Sequence, residues 1–266
     1  MHILLIFYFF IVGLCFGSFA LATAWRIKKG KDFVQDRSEC EHCHHKLSAI
    51  DLIPLVSWLY LRGRCRYCHK KLSFTMPLAE VLGGLLFAAS FAFWPYSIDS
   101  ALLVIRFSLW CLALVMLLIL FLYDAQWYTL PNKIMYPLWA VSAGYFMTFF
   151  IADPSVAMFA WLLGALAIAS GIFYVIYLIN KKWIGFGDVR LGFAIGLLVM
   201  RPIQAGMVLF FASLLGILIS LPSLLKGNKK LTSTLPFGPL LIAATVIVVL
   251  FGQHLVTWYV DQILML

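Results

Sequence analysis

Eight long apolar runs, at about residues 3–25, 77–95, 101–123, 134–152, 156–179, 188–200, 203–222 and 237–259, constrain this chain more than any motif in it. Most are near the roughly 20 residues that a helix needs to cross a bilayer. A composition of 64% hydrophobic and 12% charged residues in 266 is far from that of a soluble globular domain. The expected fold is therefore an all-α polytopic membrane protein of about eight transmembrane helices. The run that begins at Val189 is the shortest, and Gly192 and Gly196 lower its helix propensity. Arg201-Pro202 then makes a natural break before the next run.

Only His2 precedes the first run and its cations follow it, so it reads as a retained helix rather than a cleaved signal peptide. Eighteen of the twenty Lys and Arg lie in residues 26–71, 124–133, 181–190 and 226–230, which an eight-helix count places on one side. The other side has Arg106 and Arg201 together with Asp99, Asp153 and Asp261. The positive-inside rule puts the basic loops in the cytoplasm and both termini outside. The net charge of +9 is then explained by topology and by anionic membrane lipids, with no need for nucleic acid.

Cys15 and Cys111 stand alone in apolar runs and read as packing residues. The other four cysteines form CEHC (Cys40, Cys43) and CRYC (Cys65, Cys68) in the first basic loop. Disulfides do not persist in the cytoplasm, whereas two CxxC pairs make a tetrahedral thiolate site for structural zinc. His42, His44, His45 and His69 read as solvated or supporting groups rather than ligands. A loop of some fifty residues with few apolar positions has little core of its own, so metal binding would supply much of its folding energy. It reads as a small zinc-ribbon-like domain on the membrane face.

Beyond that loop, Glu80, Asp124 and Asp188 are the carboxylates next to apolar spans on the cytoplasmic side. Ionisable groups there are costly and tend to be functional. Asp124 falls at the end of the third helix, in LFLYDAQWYTLPNK, and Asp188 at the start of the sixth, in GFGDVR, so the two share one depth. Gly185 and Gly187 remove side chains beside Asp188 and let another segment approach. Two facing carboxylates that share a proton can act as base toward water and acid toward a peptide carbonyl. The plainer alternative makes each a solvated helix end or a partner for Lys133, Lys181 or Arg190. A proton- or cation-coupled transporter would also use paired acids, but near the membrane midplane rather than at helix ends. Glu80 is either an acid paired with Arg62, Lys70 or Lys71, or a group that acts on a ligand.

Six ordered stretches bear on this choice: GLCFGSF at residues 13–19, the double CxxC, PLAEVLGG at 77–84, YDAQWYTLPN at 123–132, GFGDVRLG at 185–192 and LPFGPLL at 235–241. By these the chain resembles the type IV prepilin peptidase family, membrane aspartyl proteases of the GxGD type. The resemblance implies that Asp124 and Asp188 are the catalytic pair, supported by Gly185 and Gly187. It implies substrates that are prepilins or pseudopilins, cut after a glycine at the cytoplasmic face of the bacterial inner membrane, in pilus, secretion or uptake systems. Many bacterial members also methylate the new amino terminus with S-adenosylmethionine. That cofactor is implied by resemblance alone, since the chain has no Gly-rich strand-to-helix turn. The implied division is a methyl-transfer-associated part at 1–76, with its zinc loop, and a peptidase part at 77–266, with Glu80 as a candidate for methyl transfer or leader binding. One departure stands out. After GSF the family continues with Leu-Asn-Val, and this chain has Ala20-Leu21-Ala22.

Overall fold

A computed structural model describes residues 2–32, 38–225 and 236–264. The expected basic turn at 226–230 and Leu235 of the LPFGPLL stretch lie outside the described residues. The helices follow the apolar runs: α1 His2–Lys28, α2 Thr75–Ala92, α3 Ala101–Trp127, α4 Asn132–Ala152, α5 Val156–Ile179, α6 Phe186–Val199, α7 Pro202–Leu225 and α8 Phe237–Tyr259. Among the described residues, seven helices are long and apolar enough to cross a membrane. The eighth, α6, has 14 residues, or about 21 Å at the helical rise, and is too short to span alone. There is no β-strand among the described residues, only two isolated bridges in the loop between α1 and α2.

The chain divides into two units, Met1–Trp94 with Leu114–Tyr123, and Pro95–Ala113 with Asp124–Leu266. In the first, α1 and α2 pack backbone against backbone. A Cβ on Gly13 would lie 2.4 Å from the Gly83 carbonyl oxygen, and one on Gly17 would lie 2.3 Å from that of Ala79. Spaced four apart, these glycines form one groove, the small-residue contact by which helices associate in lipid. Ring pairs Phe9–Phe91 and Phe16–Phe87, with centroids 4.7 and 5.2 Å apart, flank it.

In the second unit α6 is the central element. Val189, Leu191, Gly192 and residues 194–199 are buried, and α4, α5, α7 and α8 all touch it. This explains its composition: a helix enclosed by others needs neither length nor a lipid-facing surface. Where α5 crosses it, α5 widens into a π-helical turn at Ala167–Gly171. There the Ser170 hydroxyl donates to the Val189 carbonyl at 2.9 Å, and a Cβ on Gly192 would lie 2.0 Å from the Ala169 oxygen. Arg106, which the sequence places on the less basic side, is buried: its guanidinium donates to the Thr148 hydroxyl and carbonyl and lies 3.6 Å from the Phe149 ring centroid.

Candidate active site and metal centre

Asp124 sits in the last turn of α3, whose end is fixed by Tyr128 in the left-handed region (φ 56°), its N–H donating to the Asp124 carbonyl at 2.9 Å. The Asp124 side chain turns inward, and the residue is 6% exposed. Its carboxylate accepts from the backbone N–H of Gly238, the second residue of α8. The first N–H groups of a helix have no intrahelical acceptor, so the carboxylate occupies a ready-made anion site at the start of α8. A Cβ on Gly238 would lie 2.6 Å from Asp124 Oδ2, so no other residue fits here without moving the acid.

Asp188 is the third residue of α6. Its carboxylate reaches back to the backbone N–H of Gly185, the helix N-cap, as the acid of a capping box does. Leu130, from the turn between α3 and α4, packs against the first turns of α6 and α8. Its side chain is 3.2 Å from where a Gly187 Cβ would be and 3.7 Å from where a Gly238 Cβ would be. Gly187 therefore makes room for Leu130, while a Cβ on Gly185 would make only ordinary contact, 3.5 Å from Asp188 Oδ2. The charge of Asp124 is felt at Asp188. Among the described residues neither acid is in an ion pair. Arg190 donates to the Asn132 side-chain oxygen and covers the Phe186 ring. Two acids near enough for the charge of one to act on the other, with no ion-paired cation among the described residues, are a candidate pair.

Glu80 lies in the first unit. It is 8% exposed and accepts from the Leu55 backbone N–H at 2.8 Å, and its side chain also hydrogen-bonds that of Ser18 in the GSF stretch. The pairing with Arg62, Lys70 or Lys71 weighed from the sequence is replaced by this tie between α1, α2 and the intervening loop. Leu55 has φ 60°, a strained value for a branched residue, and the bond from Glu80 helps to hold it there.

The four loop cysteines converge, with all sulfurs within 4.8 Å of one another. Each pair forms the same knuckle. The Cys40 N–H donates to the His45 carbonyl and the His44 N–H to that of Cys40, and the same bonds recur as Cys65 to Lys70 and His69 to Cys65. His44 and His69 both have φ 56°, the left-handed residue that closes each turn. Zn–S bonds of about 2.3 Å require sulfurs roughly 3.8 Å apart in a tetrahedron, and Cys40 Sγ and Cys68 Sγ are 3.9 Å apart. The donor set and its spacing fit such an ion. Burial raises the Cys40 thiol, but the N–H groups of Cys43 and His42 outweigh it and bring its pKa down to about 7, toward the thiolate that a metal binds.

Asp51 had no assigned role from the sequence, yet it joins the two halves of the loop. Its carboxylate accepts from the Ser48 N–H and hydroxyl, from Arg66 Nε at 2.6 Å and from the Tyr67 hydroxyl at 3.1 Å. Burial raises its pKa, but these donors hold it down at about 2. Gly238 and Leu130 were likewise missed as individual residues. The only signal for them was their place within the quoted LPFGPLL and TLPN stretches.

Two family signatures match the chain: the bacterial peptidase A24 N-terminal domain over residues 11–94, and the type IV leader peptidase family over residues 111–221. Among curated proteins, the prepilin leader peptidase/N-methyltransferase of Bacillus subtilis is 28% identical over 258 residues, covering 96% of this chain and 98% of that protein. The protein of the same name from Aeromonas hydrophila is 32% identical and covers 86% of this chain and 76% of its own length. A type 4 prepilin-like proteins leader peptide-processing enzyme of Escherichia coli is 32% identical, with 77% and 72% covered. No solved structure matches the chain.

Proposed function

The chain belongs to the type IV leader peptidase family, and from that premise we propose that it is a multi-pass inner-membrane aspartyl endopeptidase that removes the leader of prepilins or pseudopilins. Asp124 and Asp188 carry the reaction. One carboxylate, ionised, takes a proton from water as it attacks the scissile carbonyl. The other, protonated, gives its proton to the carbonyl oxygen, and reversed transfers release the amine. The observation that supports this most is that two acids 64 positions apart in sequence are each held by a glycine N–H, lie near enough for one charge to act on the other and have no ion-pair partner among the described residues. The basic loops lie on the cytoplasmic side, where a basic leader is presented.

The same chain also methylates the new amino terminus. The methyl-transfer-associated part is residues 1–76 and the peptidase part 77–266, with Glu80 tied to Ser18 and to the loop backbone at Leu55. S-adenosylmethionine would supply the methyl group, and Cys40, Cys43, Cys65 and Cys68 would hold a structural zinc ion. Purified protein incubated with a prepilin and saturating S-adenosylmethionine, followed by product mass, tests both activities. The expected product is cut and carries one added methyl. An uncut substrate overturns the peptidase assignment. A cut but unmethylated product overturns the methyl-transfer assignment.

Gly238→Ala and Gly185→Ala separate the two glycines beside the acids. The first drives a methyl into Asp124 and should lower the initial cleavage rate by about 100-fold, the scale of a 1 Å misplacement in a catalytic centre. The second has φ −77° and room for a methyl, so it should stay close to the parent rate. Equal rates for both, measured at matched amounts of inserted protein, would show that the Gly238 contact does not position Asp124.

A further inference from the structure

The segment between the two knuckles, residues 49–60, contains an apolar surface that the metal centre does not use. It folds as a 3-10 turn at Ala49–Leu52 and a short helix at Val56–Tyr60, hinged at Leu55. Ile50, Ile53, Val56 and Leu59, spaced by three, are all exposed, and Tyr60 is 78% exposed. A short loop that needs every apolar group for its own core would not present these side chains to water.

The tie to Glu80 sets the depth of this surface. Helix α2 has 18 residues, about 27 Å, against a hydrocarbon core of about 30 Å, so its first turn already lies at the edge of the apolar layer. Glu80 is five residues in, roughly 7.5 Å below that edge, and it binds the N–H of Leu55. The hinge is therefore drawn below the start of α2. Trp58 meets the Phe74 ring at 5.8 Å, and Phe74 and Leu78, four apart and exposed, continue the same apolar surface onto α2. Cations follow the segment: Arg62, Arg64, Arg66, Lys70 and Lys71 are exposed. The one acid between residues 49 and 74, Asp51, is already engaged by Ser48, Arg66 and Tyr67. An apolar face at interface depth with cations beside it is the pattern of a segment that lies in the membrane plane.

We propose that residues 50–60 insert into the lipid leaflet at which α1 ends and α2 begins, so that the metal-binding loop is seated on an anionic bilayer surface rather than suspended in water. The inference rests on the membrane reading of α1 and α2 and is independent of which reaction the chain performs. Full-length protein in nanodiscs of phosphatidylethanolamine and phosphatidylglycerol tests it. A photoreactive benzoylphenylalanine is placed singly at Ile53, Val56 or Leu59, with Phe210, exposed on α7, as the lipid-facing reference and Glu41, exposed in the first knuckle, as the solvent-facing one. The three positions should give lipid adducts at yields close to that of Phe210 and several-fold above that of Glu41. Yields at the Glu41 level, or adducts to a second copy of the chain in place of lipid, overturn the proposal. Where a label disturbs folding, unmodified protein with labelled isoleucine methyls gives the second reading. Spin-labelled lipid should attenuate Ile50 and Ile53 as strongly as Ile217 and Ile219 of α7, and unattenuated signals count against insertion.

Discussion

Asp124→Asn and Asp188→Asn are each expected to abolish leader cleavage while membrane insertion stays intact. Asparagine keeps the shape of the side chain and an oxygen that can accept from Gly238 or Gly185, so packing at the two helix ends should survive. What is lost is the ability to take up or release a proton. General acid or base catalysis by one group is worth about 10²–10⁴-fold, so each single variant should fall by at least that factor. If the acids act on one water and one carbonyl, as proposed, the double variant should be little slower than either single one. Initial rates on a purified prepilin, with co-purification of uncut substrate to show that binding persists, measure this. Near-parent cleavage by either variant would sink the pairing. Equal losses accompanied by lost substrate binding would point to a structural role instead.

The helices and the two cysteine knuckles were legible in the sequence for one reason: each depends on residues close together in the chain. A span shows as an unbroken apolar run, a knuckle shows as CxxC, and a carboxylate beside an apolar run is conspicuous. What was hidden depends on contacts between distant segments. Gly238 donates to Asp124 across more than a hundred residues, and nothing about a glycine before a proline announces an acid partner. Leu130 reads as one more apolar side chain until Gly187 and Gly238 are placed against it. Glu80 offered several nearby cations as partners, yet it binds the N–H of a strained leucine. That bond needed the loop to fold back onto α2, a long-range event to which charge counting is blind. The short α6 posed the converse problem. Its length argued against a span, and only its enclosure by four other helices explains why 14 residues suffice.

The second large effect concerns the metal. Cys40→Ser and Cys65→Ser are expected to lose it, and together they remove one sulfur from each knuckle and leave too few ligands to close the coordination sphere. These two cysteines are each 3% exposed, the more enclosed member of each pair, so a hydroxyl there also exchanges a buried sulfur for a poorly satisfied polar group. Structural zinc contributes about 10–16 kcal/mol in small zinc-binding peptides, more than the remaining links of this loop can replace. Among the described residues those links include Asp51 with Arg66 and Tyr67, Arg26 with Ser38, Lys31 with Glu39, the His45–Tyr67 ring contact and the bond from the Leu55 N–H to Glu80. Metal analysis of the parent protein should give one zinc per chain, and the double variant should give nearly none. Limited proteolysis should then cut within residues 38–72 of the variant, while α1 and α2, joined through Gly13, Gly17 and Gly83, remain uncut. Strong chelation of the parent should reproduce that pattern. Since the cysteines and the two aspartates belong to different units of the chain, cleavage should fall less than it does on loss of either acid. Full zinc content in the double variant would rule out this ligand set, and an intact loop without zinc would show that Asp51 and Glu80 suffice to hold it.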